Sequence, residues 1–342
     1  MYEELKKIND LWKKFLRGEA SERTLINKIH LLNNLPKKER EHRELVNELE
    51  EISPVLKYLA LKENYLTDGK VKGKPAKLIN CSDIQGMLSS GISALIELCE
   101  NKCYVRDLFS MVVNDVKNAG MALVHAVNEA VKTRLIETKE KIRKGKILSS
   151  QIAKTCIELK EEKKKGNYPQ VYRLCRKLED RFKEFSSNDF SFPDVYIGFS
   201  RKEMSQKHKA LKALEKRIRE RKENLQESEC VAVISGGIET AAYLAMWLDK
   251  TFFWSVEYSR KRLKQTSPPE FSEADTGFFE EDKNFCMGED WISSGQTGLG
   301  LKERIHQYNR DAEIYIAALK AKEEGIKLLE SNGAKVIYGI ML

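Results

Sequence analysis

Phe285-Cys286-Met287-Gly288-Glu289-Asp290-Trp291-Ile292-Ser293-Ser294-Gly295-Gln296-Thr297 decides the reading of this chain. A short apolar run enters two adjacent acids, and a Ser-Ser-Gly-x-Thr turn follows. Such a run predicts a buried strand that ends at its carboxylates. The carboxylates can accept hydrogen bonds from sugar hydroxyls or hold Mg²⁺ through water. The turn offers hydroxyls and clustered backbone N–H groups to a phosphate at the start of a helix. A plain acidic loop with small residues has the same composition, so neighbouring segments must separate the two readings.

Upstream, Cys230-Val231-Ala232-Val233-Ile234 reads as a second buried strand, followed by Ser235-Gly236-Gly237 and the helical start Ile238-Glu239-Thr240. Glycines let a backbone approach an anion closely. Thr251–Tyr258 reads as a third strand, running into Arg260-Lys261-Arg262-Leu263-Lys264 and then a loop rich in Ser, Pro and acids. Thr297 to Gly333 reads as strongly helical text. Asn332-Gly333 is a helix stop before a last strand, Lys335–Met341. Asp194–Phe199 is a further candidate strand. Met204, Leu211, Ile218 and Leu225 recur every seven residues along a charged helix that either packs on the sheet or pairs with a copy of itself.

Strands alternating with helices predict an α/β domain with a mostly parallel sheet over residues 191–342, with ligands at the carboxyl ends of the strands. Residues 1–190 predict a large all-α region, with a turn-rich break near 67–76. Leu25, Ile29 and Leu32 share one helical face. A helix is expected from Lys37 to Ile52, stopping near Pro54. Val116, Leu123, Val127, Val131 and Leu135 form one stripe, and Val171, Leu174, Leu178 and Phe182 another. Ser186-Ser187-Asn188-Asp189 with Pro193 marks the boundary.

The C-terminal motifs together resemble the type I phosphoribosyltransferases, over about residues 194–342. That family's signature is four apolar residues, two acids, three variable residues and a Thr-Gly-x-Thr-like turn. The pair Glu289-Asp290 looks most like the hypoxanthine-guanine branch. The resemblance implies that the protein binds phosphoribosyl pyrophosphate with Mg²⁺ and moves the ribose 5-phosphate to a nitrogen acceptor. Glu289 and Asp290 would hold the ribose and, through water, the Mg²⁺. Ser293, Ser294, Gly295, Gln296 and Thr297 would cradle the 5′-phosphate. Ser235, Gly236 and Gly237 would hold the pyrophosphate, and Arg260, Lys261 and Arg262 would close over it. The sequence departs from the pattern in three places. Ser293 replaces the aspartate of the purine-specific branch, Gly288 replaces the last apolar residue, and Ser294 replaces a threonine. Some relatives of this kind are non-catalytic regulators that bind nucleic acid and sense a nucleotide, which is the alternative reading.

No run approaches 18 apolar residues, so no membrane partner is expected. The polar start Met1–Lys7 lacks a signal-peptide core, which predicts a cytoplasmic protein. Seven cysteines at irregular spacing and five scattered histidines predict reduced structural thiols rather than a metal site. The helical half could also build a homo-oligomer. Residues 1–190 carry 37 Lys+Arg against 28 Asp+Glu, and residues 191–342 carry 23 against 24. The basic excess peaks at Lys132–Lys165, through Lys139, Lys141, Arg143, Lys144, Lys146 and Lys163-Lys164-Lys165. Interspersed glutamates favour a solvated helix face over a nucleic-acid site. Nucleic-acid binding by this half would weaken steeply between low and physiological salt, because phosphate contacts release counterions. Retention of DNA or RNA at low ionic strength checks it; no retention leaves the lysines as a solvated face.

Overall fold

The computed structural model describes residues 2–21, 23–25, 27–28, 53–62, 65–71, 74–104, 106–199, 205–234, 236–257, 271–281 and 283–342. The predicted helix over 37–52 and the basic residues Arg260, Lys261 and Arg262 lie outside them, as does Ser235. The chain divides into two compact units. The first comprises Met1–Ala122, Glu158–Ser186 and Asp194–Arg201. The second comprises Leu123–Ile157, Ser187–Pro193 and Lys202–Leu342. By this division Leu123–Ile157 belongs with the second unit and Asp194–Arg201 with the first.

The first unit holds α1 (Tyr2–Leu16), α2 (Pro54–Leu61), β1 (Leu66–Val71), β2 (Lys74–Asn80), α3 (Ile84–Glu100), the N-terminal part of α4 (Arg106–Lys132), the C-terminal end of α5 (Lys139–Lys164), α6 (Tyr168–Ser186) and β3 (Tyr196–Phe199). Apolar residues at helical spacing set its core. Ile84, Met87, Leu88, Ile92 and Leu95 of α3 are buried, as is the predicted stripe Val171, Leu174, Leu178 and Phe182 of α6. Glu97 ties three segments together. It accepts from Trp12 Nε1 at 3.1 Å, Ser53 Oγ at 2.6 Å and Val55 N–H at 2.8 Å.

This unit is not all helix. β1 and β2 form an antiparallel hairpin, and β3 pairs antiparallel with β2. The turn-rich stretch 67–76 is mostly strand. Gly69 sits inside β1 because Leu78 of the partner strand packs over it, where a Cβ would lie 2.3 Å from Leu78 Cδ1. The strand predicted at 194–199 exists, but it completes this small sheet instead of joining the parallel one.

The second unit is a three-layer α/β arrangement. Its elements are the C-terminal part of α4, most of α5, α7 (Ser205–Glu220), β4 (Glu229–Val233), α8 (Gly237–Trp247), β5 (Trp254–Val256), α9 (Glu273–Phe279), β6 (Phe285–Ile292), α10 (Gln296–His306), β7 (Ile314–Ala321), α11 (Glu323–Ser331) and β8 (Lys335–Met341). The five strands are parallel, in the order β5-β4-β6-β7-β8. Right-handed crossovers then put α8 on one face and α10 and α11 on the other, because the chain reverses its direction of travel across the sheet after β5. α7 joins the α8 face, where the backbone carbonyl of Ala210 lies against Gly339 of β8.

The stretch from Thr297 to Gly333 is helix, strand, helix rather than helix throughout. Ile314-Tyr-Ile-Ala-Ala-Leu-Lys-Ala is buried along almost its whole length as β7. Its alanines, leucine and lysine favour helix locally, and burial between two neighbouring strands overrides that preference. The expected stop at Gly333 is present. Gly333 has φ +77°, its N–H donates to Glu330 O, and Ala334 N–H donates to Leu329 O.

The stripe from Val116 through Val131 to Leu135 breaks after Lys132, where α4 ends. Arg134 turns into the left-handed region, and Leu135 is exposed instead of continuing its stripe. Lys146 does not belong to an exposed basic face either. It is 2% exposed, bonded to Asp275 and to Ser255 O at 2.8 Å, with its ammonium 5.3 Å from the Trp254 ring centroid. Asp275 also accepts from Trp254 Nε1, Ser272 N–H and Ser272 Oγ. Every charge in this cluster is satisfied, and it fastens the short edge strand β5 and helix α9 to α5. All seven cysteines are buried thiols.

Removing one partner of a buried ion pair leaves the other charge uncompensated. Lys146→Ala is expected to cost about 3–5 kcal/mol. The midpoint of urea unfolding measures it, and a midpoint equal to that of the parent would refute the assignment.

Candidate functional site

The strand order makes β4 and β6 the switch point of the sheet. The loops that leave these neighbours run to opposite faces, and open α/β sheets bind ligands in the crevice so formed. The glycine turn follows β4, and the acid pair ends β6. In-register pairing of Ala232 with Gly288 brings the two loops side by side.

Two glycines set the spacing. A Cβ on Gly237 would lie 2.0 Å from Gly288 O, and a Cβ on Gly288 would lie 2.6 Å from Ala241 N. The first turn of α8 therefore rests directly on the backbone of β6. This contact explains the glycine found where the sequence pattern leads one to expect an apolar residue. One residue earlier, a Cβ on Gly236 would lie 2.9 Å from Asp290 Oδ2. The glycine turn and the second acid are thus in contact.

The two acids have different surroundings. Adjacent strand residues point to opposite faces. Asp290 shares the face of Gly288, toward α8, with Thr240 Oγ1 3.4 Å from its Oδ1. Glu289 points to the other face and is buried. Burial, followed by repulsion from Asp290, pushes its carboxyl up to about 8. Glu289 is thus held as a neutral acid at pH 7, able to donate one hydrogen bond and accept others.

Beyond the acids, Ile292 O accepts from Lys322 N–H at 2.9 Å. Gly295 has φ +74° and caps α10, where a Cβ would lie 2.6 Å from Gly325 O. The Ser293–Thr297 turn is thereby held against α11. Ser294 is exposed, while Ser293, Gln296 and Thr297 are half-buried. Of the residues picked from sequence, Gly236, Gly237, Glu289 and Asp290 converge, and Ser293 to Thr297 follow directly from the end of the same strand.

Lys207 and Glu239 were not picked from the sequence. Lys207 Nζ lies 2.8 Å from Glu239 Oε2. Burial pulls the Lys207 ammonium down, but the carboxylates of Glu239 and Asp290 more than offset it, and its pKa is raised. The visible signal was an acid in the first turn after a Gly-Gly turn, with no Lys or Arg anywhere from Cys230 to Asp249. A phosphate-binding turn of that composition needs a cation from elsewhere in the fold.

Carboxylate oxygens suit Mg²⁺, but the two acids face opposite sides of one strand and Glu289 is held protonated. Among the described residues no group of three His, Cys, Asp or Glu gathers to hold a metal. No family model and no curated protein matches the chain.

Glu289 binds its proton more tightly folded than unfolded, where its value is near 4.5. Its stabilising share is full below about 4.5 and is lost as the pH rises through about 8. Glu289→Gln removes this titration while keeping a neutral side chain. From pH 5 to 9 the variant is expected to gain on the parent by on the order of 4 kcal/mol. Denaturation curves across that range test this, and parallel pH profiles would refute it.

Proposed function

We propose that the second unit binds phosphoribosyl pyrophosphate and transfers its 5-phosphoribosyl group to a nitrogen nucleophile, releasing pyrophosphate. One observation carries the reading: a glycine turn, an acid pair and a Ser-Ser-Gly-x-Thr turn meet at the switch point of a parallel sheet. In the reaction the bond from the sugar C1 to pyrophosphate breaks, and a bond from C1 to nitrogen forms. Positive charge develops on the ring and negative charge on the leaving group.

Each residue has a matching part. Gly236 and Gly237 admit the pyrophosphate close to the backbone. Asp290, beside that turn, accepts from a ribose hydroxyl and offers negative charge near the ring. Glu289, buried on the opposite face of β6, takes no hydroxyl in this reading. Ser293, Ser294, Gly295, Gln296 and Thr297 hold the 5′-phosphate at the start of α10. Mg²⁺ enters only as a counter-ion carried by the diphosphate. Ser293 supplies no carboxylate, so the proton route used by the purine branch is not part of this proposal. Among the described residues no helix is long and apolar enough to cross a membrane.

Calorimetry with phosphoribosyl pyrophosphate and Mg²⁺ tests binding, and product analysis against a panel of nitrogen bases tests transfer. Asp290→Asn is expected to weaken binding by about 10- to 100-fold, the worth of a hydrogen bond to a charged group, with an unchanged melting profile. Equal affinity in parent and variant would refute the role of Asp290. Binding without product would leave a nucleotide-sensing module in place of an enzyme.

A further inference from the structure

We propose that Lys207 is the cation that meets the ligand's diphosphate, exchanging Glu239 for phosphate oxygens when the crevice fills. This inference rests on the phosphoribosyl pyrophosphate reading and adds to it a binding residue that lies outside every motif recognised in the sequence.

The glycine turn carries no cation of its own, since Cys230–Asp249 contains neither Lys nor Arg. The flanking cations are engaged elsewhere: Lys222 bonds Asp249 at 2.6 Å, and Lys250 lies 4.0 Å from Glu229 at the opposite end of β4. Two acids instead border the turn, Glu239 in the first turn of α8 and Asp290 against Gly236. A diphosphate entering there meets repulsion from both unless a positive charge faces it. Lys207 supplies that charge. It stands in the first turn of α7, on the sheet face that α8 also covers, 2.8 Å from Glu239.

The geometry suits an exchange. The Lys207 side chain is 29% exposed and that of Glu239 15%, so the pair lies at the rim of the crevice and not in the core. A lysine stem has four rotatable bonds, and its ammonium can move several ångströms without displacing its helix. Charge-assisted hydrogen bonds to phosphate replace the one to Glu239. The same two acids that keep Lys207 protonated make its position costly to leave empty. In the unfilled crevice, Glu239 is the resident counter-ion that holds the ammonium beside the turn.

The test is titration calorimetry of the full-length chain with inorganic pyrophosphate and, separately, ribose 5-phosphate. Lys207→Met is expected to lose about 10- to 100-fold in pyrophosphate affinity and to keep ribose 5-phosphate affinity within about twofold. Lys207→Arg is expected to restore most of the loss. Glu239→Gln frees the lysine and removes one repulsive charge, so it should bind pyrophosphate more tightly, by about 3- to 10-fold. A pair that merely ties α7 to α8 predicts the opposite sign for Glu239→Gln, or no change in any variant, and either result overturns the inference. If the parent binds ribose 5-phosphate and pyrophosphate and Lys207→Met matches it, the inference fails alone. If the parent binds neither, the underlying reading fails and takes the inference with it.

Discussion

The approach of α8 to β6 rests on the absence of two side chains. With Gly237 and Gly288 face to face, the first turn of the helix sits on the strand backbone, and Gly236 arrives against Asp290. A methyl group at either glycine would push helix and strand apart, because the atoms it meets are backbone, which cannot rotate away. The crevice therefore has its shape before any ligand enters. Binding need not pay to assemble the glycine turn and the acid beside it.

The edge of the sheet next to this crevice is held differently. β5 has only three residues, too few for ladder hydrogen bonds and packing alone to define it well. Lys146 and Asp275 compensate with a buried, fully bonded ion pair, and Asn128 adds a hydrogen bond to Ser255 Oγ at 2.8 Å. An apolar replacement of similar volume could serve stability equally well. The charges add direction: Lys146 grips the backbone of β5 and the side chain at the start of α9 together, and so fixes where the chain leaves the sheet after β5 and where it returns.

The parts of this architecture that were legible in sequence are those set by local pattern. β4 and the first three residues of β6 are apolar runs bounded by turns, as strands buried on both faces must be. Gly333 and the Ser294-Gly295 turn announced themselves by composition. β7 was hidden because Ala318, Leu319, Lys320 and Ala321 read as helix until a sheet encloses them. The β1–β2 hairpin was hidden by Gly69, which lowers strand preference and is accommodated where Leu78 packs over it. The Lys207–Glu239 pair spans 32 residues and two helices. No periodicity reports such a contact, and only the missing cation of the glycine turn hinted at it.

The charge at the crevice is a consequence of alternation along one strand. Had Glu289 and Asp290 shared a face, two carboxylates would compete for one environment and their proton would be shared. Strand geometry instead sends Glu289 into a dry interior, which favours its neutral form, and leaves Asp290 on the side of Lys207. Among the described residues, Lys207 faces two carboxyl groups there, Glu239 and Asp290. In the proposed transfer, Asp290 would stand by a sugar ring that acquires positive charge and Lys207 by a leaving group that acquires negative charge. A ligand that is uniformly anionic gains little from such a field, whereas one whose charge separates during reaction gains at both ends. Such a pairing of opposite charges accords with the proposed transfer, in which charge separates as the bond to the leaving group breaks.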